Sequence, residues 1–171
     1  MKKVVLGILI SAFFGCEETP ETPKKTHNWS QEQSVKMNKE LAIEEDIDIR
    51  LYLGQHTEYK PQLTGSGLRF IPILPGKGSL AQPGQDARVQ YKVSLLDGTV
   101  VYQTASDELD IFRVDKSNIE SGIQEGIKKM RLGEKAKLII PSHLAHGLIG
   151  DLDKIPPLTP LIVDIELIEL E

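Results

Sequence analysis

From residue 87 to the end of the chain the apolar side chains keep a two-residue period, broken once by a stretch in which they recur every three or four. Val89, Tyr91, Val93 and Leu95 alternate with Arg88, Gln90, Lys92 and Ser94, the pattern of a strand with one face against a core. Ala136, Leu138 and Ile140 repeat it, and Leu161, Val163, Ile165 and Leu167 repeat it again opposite Asp164, Glu166 and Ile168. Between these runs Ile119, Ile123, Ile127 and Met130 are spaced four, four and three, which places them on one face of a short helix. Ser117 with Glu120, or Ser121 with Gln124, offers a capping pair at its start, and Gly133 a stop at its end. Several strands and a single helix leave few solutions. The expectation is an α+β fold in which an antiparallel β-sheet wraps around one short α-helix.

Turn chemistry supports the antiparallel reading. Asp97-Gly98 supplies the positive-φ pair of a tight hairpin, after which 99–103 returns as the partner strand. Upstream, residues 63–83 mix a short apolar run at 68–74 with Pro72, Pro75, Gly76, Gly78 and Pro83, and Gly84 follows. Proline cannot donate to a central ladder, so this stretch reads as an edge strand and a loop. Its PGKGS piece lacks the spacing and the following helix of a phosphate loop. Residues 28–62 read as an N-terminal helical extension: Ser30 and Gln33 form a capping box, Leu41, Ile43, Ile47, Leu51 and Tyr52 recur near the helical period, and Gly54 is a stop. The apolar side of such a helix must cover something. Docking on the main domain is the expectation, with self-association or client contact as the alternatives.

The front end has the layout of an export signal. Lys2 and Lys3 precede an uncharged apolar run at 4–14, too short to span a bilayer, and Gly15 precedes Cys16, so residues 1–15 read as a signal peptide. Cys16 is the only cysteine and can form no intramolecular disulfide; its position resembles a bacterial lipoprotein processing site. Acylated there, the mature chain is held to a lipid bilayer at the cell envelope, facing the periplasm or the cell surface. Residues 16–27, with three carboxylates, Pro20 and Pro23, read as a flexible tether. Losing Lys2 and Lys3 takes the formal charge from −5 to −7, which disfavours nucleic acid as a partner. The pattern leaves the oligomeric state open.

Taken in order, YK at Tyr91, DGTV at Asp97, GxxEG from Gly122, MRLGEKA from Met130, PSxxAxG from Pro141 to Gly147, IPP from Ile155 and the closing DIELIEL resemble the FKBP-type peptidyl-prolyl isomerases over residues 84–171. With the lipoprotein-like front end, the arrangement looks most like FKBP-type lipoproteins of Bacteroidetes-type bacteria, including the gliding-motility-associated peptidyl-prolyl isomerases. The resemblance implies rotation about X-Pro amides of proline-containing polypeptides, assisting the folding of exported envelope proteins, without a cofactor. Uncatalysed rotation takes tens to hundreds of seconds because partial double-bond character must be broken. No bond is cleaved, so the reaction calls for an apolar pocket that favours the twisted amide, with a few hydrogen bonds that form best at that geometry.

Position by position, the resemblance implies that Tyr91, Ile119 and Ile155 keep the pocket's residue types, whereas other positions depart from the family. Val101 and Asp110 stand at usual phenylalanines, Tyr102 at an aspartate, Ile123 at the tryptophan of the pocket floor, His146 at a loop tyrosine and Val163 at a strand phenylalanine. Glu120 stands at an isoleucine whose backbone N–H meets the ligand, a donor that survives the change. Tyr91, Tyr102 and His146 are thus the implied catalytic set, His146 donating to substrate carbonyl or backbone. Val101, Ile119, Glu120, Ile123, Ile155 and Val163 are the implied substrate-binding set. Lost aromatics leave a cup that is apolar but wider and less shaped, so reduced or altered activity is expected, the alternative being a binding or chaperone module of an envelope complex. His143 and His146 are three apart, but in a loop where only Asp151 and Asp153 could join them, and no metal site is expected.

Overall fold

The computed structural model describes residues 30–171; the expected signal peptide at 1–15, lipidation at Cys16 and tether at 16–27 lie outside the described residues. In chain order come α1 (Gln31–Gln55), β1 (Gln62–Leu63), β2 (Arg69–Leu74), β3 (Asp86–Ser94), β4 (Val100–Gln103), β5 (Asp110–Arg113), α2 (Ser121–Ile127), β6 (Lys135–Ile140), one 3-10 turn at Ser142–Leu144, and β7 (Leu161–Leu170). The strands form one antiparallel sheet in the order β1-β2-β6-β7-β3-β4, with β5 also pairing with β3. This is the α+β architecture expected from the alternating runs.

The two-residue period sorts the sheet's side chains to two faces. Inward, Phe70, Val89, Val93, Leu138, Ile140, Leu161 and Val163 pack with Ile123, Ile127 and Met130 of and after α2. Outward, Ile71, Ile139 and Ile162 form a second buried cluster with Ile49 of α1, flanked by Tyr52, Leu53 and Tyr59. The sheet therefore carries one helix on each face. α2 lies directly on β6, because a Cβ on Gly122 would stand 2.3 Å from Ile140 Cγ2 and one on Gly126 2.5 Å from Leu138 Cδ1.

Several local expectations change. The capping box of α1 is present, with Gln33 N–H donating to Ser30 Oγ at 3.1 Å and Gln33 Oε1 accepting the Ser30 N–H at 3.0 Å. Of the apolar residues read as its docking face, Tyr52 packs on the outer cluster and Leu41 is half-buried, but Ile43, Ile47 and Leu51 are exposed; Glu45 and Ile49 are the buried residues of α1. At the start of α2 neither proposed capping pair forms. Gln124 is instead buried and reaches back, its Oε1 accepting the Asp115 N–H at 2.8 Å and its amide donating to the Ser117 carbonyl at 3.1 Å. α2 is also shorter than its periodicity, with Ile119 before it and Met130 beyond it in a turn. In the β3–β4 hairpin only Gly98 takes a positive φ, 88°; Asp97 instead accepts the Thr99 N–H at 2.8 Å. β1 covers only the first two residues of β2, so Pro72 falls on open edge while β2 as a whole ladders onto β6. The stretch at 63–83 thus contributes a strand to the same sheet as residues 84–171.

Candidate active site

Between the inner face of β3, β6 and β7, the start of α2, and the loop at 146–155 lies a hollow of about 50 Å³. One water needs roughly 10–15 Å³ on the same measure, so there is room for a small ring. Its walls are Val93 from β3, Ile123 from α2, Ile140 from β6, Leu161 and Val163 from β7, and Ile155 from the loop; the half-buried Tyr91 of β3, Tyr102, Glu120 and His146 stand at its rim. Larger depressions exist, such as one of about 400 Å³ on the outer sheet face lined in part by Lys92, Lys135, Asp164 and Glu166. Those charges are already paired with one another across the strands, and a proline ring needs apolar walls.

Seven of the nine pocket residues implied by the sequence meet at this hollow: Tyr91, Tyr102, Glu120, Ile123, His146, Ile155 and Val163. Val101 and Ile119 do not. Val101 is buried in the core, its carbonyl accepting Lys154 Nζ at 3.3 Å, and Ile119 packs half-buried against the same core. Val93, Ile140 and Leu161 were missed as lining, although their alternation had put each on the inward face; only the curl of the sheet shows which inward positions reach the hollow. Nor is the cup wide. Its volume is about 50 Å³, and the loop at 146–155 contributes His146 and Ile155 to its lining and Asp151 to Tyr102.

Each ring at the rim faces a carboxylate. The Tyr102 hydroxyl donates to Asp151, and the Lys154 ammonium sits 4.7 Å over the Tyr102 ring. The hydrogen bond to Asp151, aided by burial and by the charges of Asp151, Asp153 and Glu120, pushes the Tyr102 phenol up to about 12. For Asp151, burial alone would raise the carboxyl; bonds from Tyr102 and from the N–H groups of Asp153, Lys154 and Ile155 outweigh it and hold the group well below the carboxylate range. Burial also pushes the Tyr91 phenol up, with the Asp110 and Glu120 carboxylates adding to the effect. His146 Nε2 lies 3.0 Å from Glu120 Oε1, so one nitrogen of the imidazole expected to donate to substrate carbonyl or backbone here meets a carboxylate of its own chain. Asp110, which the sequence marks only as a lost aromatic, accepts from Thr104 Oγ1 at 2.6 Å and supplies the carboxylate near Tyr91.

Chemically, both phenols stay protonated as hydrogen-bond donors through neutral pH. The backbone N–H of Glu120, which precedes α2, has no acceptor among the described residues, as a ligand-facing donor requires. The arrangement combines apolar walls with donors at the rim, two of the requirements for favouring a twisted amide.

Comparison with known proteins agrees with this geometry. The family model for FKBP-type peptidyl-prolyl cis-trans isomerase matches residues 77–168. The peptidyl-prolyl cis-trans isomerase Fkbp12 of Drosophila melanogaster is 34% identical over 108 residues, 61% of this chain and 99% of that protein. The FKBP-type isomerase FkpA of Escherichia coli K12 is 32% identical over 140 residues, 80% of this chain but only 50% of FkpA. The crystal structure of FkpA superposes with a TM-score of 0.67 at 30% identity, covering 81% of this chain and 64% of that one. A family match over more than half the chain, falling on the sheet and helix that enclose a ring-sized apolar hollow, means that the chain belongs to the FKBP-type peptidyl-prolyl cis-trans isomerases, enzymes that act on proline-containing polypeptides.

Proposed function

We propose that this isomerase assists the folding of exported proteins at the cell envelope, held to a lipid bilayer through an acylated Cys16, and that Tyr91, Tyr102 and His146 serve its catalysis. The observation that carries the envelope reading is the order at the front of the chain: Lys2 and Lys3, an apolar run, Gly15, Cys16, and then a polar, proline-bearing spacer. Service to a gliding assembly follows the same line of resemblance. In the hollow, the proline ring packs against Ile123, Ile155, Leu161 and Val163, and the Glu120 N–H and the rim phenols donate to the amide as it twists. Because Tyr102 and His146 are engaged by Asp151 and Glu120, substrate must displace those contacts, which keeps turnover modest.

Two measurements test the reading. In a proline-peptide exchange assay, Tyr91→Ala with His146→Ala is expected to lower kcat/KM by about tenfold or more, the usual range for losing positioned hydrogen-bonding groups; unchanged turnover removes these residues from the mechanism. In a bacterial host, an alkyne-tagged fatty acid is expected to label the chain and not its Cys16→Ala variant, and a wild-type chain without label rules out the anchor.

A further inference from the structure

Ser142 opens the turn that carries His146, and all of its backbone and side-chain polar groups are committed. Its carbonyl accepts two N–H groups, from Ala145 at 2.9 Å and from Gly147 at 2.8 Å, the neighbours of His146 on either side. Its own N–H and its hydroxyl both donate to the carboxylate of Glu45 on α1, the hydroxyl at 2.7 Å. The partners are 97 residues apart in sequence, and both are buried, Glu45 at 8% and Ser142 at 2% exposure. Burying a carboxylate is unfavourable unless hydrogen bonds compensate. Docking of α1 does not call for it, since Ile49 against Ile71, Ile139 and Ile162 already supplies the apolar contact.

From the other side the same turn is held by α2 and its start: Ser121 Oγ donates to the Leu144 carbonyl at 3.2 Å, and Glu120 meets His146. The turn is thus gripped between two helices on opposite faces of the sheet. We infer that Glu45 is a positioning residue for the isomerase reaction: by taking both donors of Ser142 it sets the direction of the carbonyl that holds residues 145 and 147, and so the place of the His146 imidazole over the hollow. α1 is then part of the active-site apparatus, although Glu45 itself touches no substrate. This inference rests on the isomerase reading of the hollow.

The test uses the full chain, with Glu45→Ala, Glu45→Gln and Ile49→Ala compared below their unfolding temperatures. A small misplacement of a catalytic group costs on the order of tenfold or more, so Glu45→Ala should lower kcat/KM by about tenfold, mainly through kcat. Glu45→Gln keeps an acceptor for the Ser142 N–H and should recover to within about threefold on the same argument. Ile49→Ala loosens α1 without touching the turn and should leave kcat/KM near wild type while lowering Tm. Where Glu45→Ala fails to fold, Ser142→Ala, which removes only the hydroxyl bond, takes its place with a smaller drop in kcat. Glu45→Ala with wild-type kcat, or Ile49→Ala impaired equally, overturns the inference. Hydrogen exchange gives a readout independent of turnover: the Ala145 and Gly147 amides should exchange faster in Glu45→Ala while those of β6 and β7 do not change, and unaltered protection also overturns it. A wild-type chain without isomerase activity would instead sink the activity reading, leaving exchange to decide whether Glu45 orders the turn.

Discussion

At the rim of the hollow, Tyr91, Tyr102 and His146 stand beside Asp110, Asp151 and Glu120 respectively, and the Tyr102–Asp151 bond has a pH signature that can be worked out in sign. The Tyr102 phenol is raised from 10.0 to about 12, so the fold favours its protonated form. That contribution is whole below about pH 10 and is lost as the pH climbs toward 12. The Asp151 carboxyl is lowered from 3.8, so its contribution is present above that value and is lost as the pH falls below it. The Tm gap between wild type and Tyr102→Phe is therefore expected to be flat from about pH 5 to 9 and to shrink at both extremes, as thermal melts across pH would show; a gap that widens in acid contradicts the assignment. The family resemblance could nominate Tyr91, Tyr102 and His146, because each falls in or directly beside a block that the resemblance aligns. It could not nominate Asp151 as the partner of Tyr102, 49 residues earlier, because that pairing depends on the path of the loop back over the mouth.

Among the elements, α2 and α1 contact the sheet in different ways. α2 presents Gly122 and Gly126 to β6, so close that any Cβ there meets Ile140 or Leu138. Gly126→Ala is expected to destabilise the fold by about 1–3 kcal/mol, the usual range for overpacking, measured as a lower denaturant midpoint at an unchanged slope. α1 presents a mixed face. Ile49 is fully buried, and truncating it to Ala should cost about 2–5 kcal/mol in the same measurement. The apolar period alone pointed to Leu41, Ile43, Ile47, Leu51 and Tyr52, of which Ile43, Ile47 and Leu51 stay exposed. The face that docks carries Ile49 into the outer cluster, and the carboxylates beside it have specific partners of their own, Glu45 on Ser142 and Asp46 on the buried guanidinium of Arg69. A hydrophobicity pattern carries no record of such distant polar partners.

For the whole molecule, the sheet is the common wall: its inner face makes the hollow with α2, and its outer face is sealed where α1 lies. Shortening the chain to residues 61–171 would uncover Ile71, Ile139 and Ile162, each at most 3% exposed in the intact fold. Such a chain is expected to bind the dye ANS and to melt at a lower temperature, and failure to do either would mean that α1 contributes little to the fold. Alternation along β3, β6 and β7 and the three- and four-residue spacing through α2 were enough to specify an antiparallel sheet around one helix, because these periodicities are local to the chain and side-chain direction follows from them, while most residues of the hollow came from the family resemblance of the sequence blocks. Tertiary structure alone decided that Val101 faces the core, that α1 docks by Glu45 and Ile49, and that the rim rings are engaged by carboxylates. Each of those outcomes turns on which distant segments meet, and contact between distant segments is set by the curl of the sheet and the closure of loops, neither of which leaves a periodic trace in the sequence.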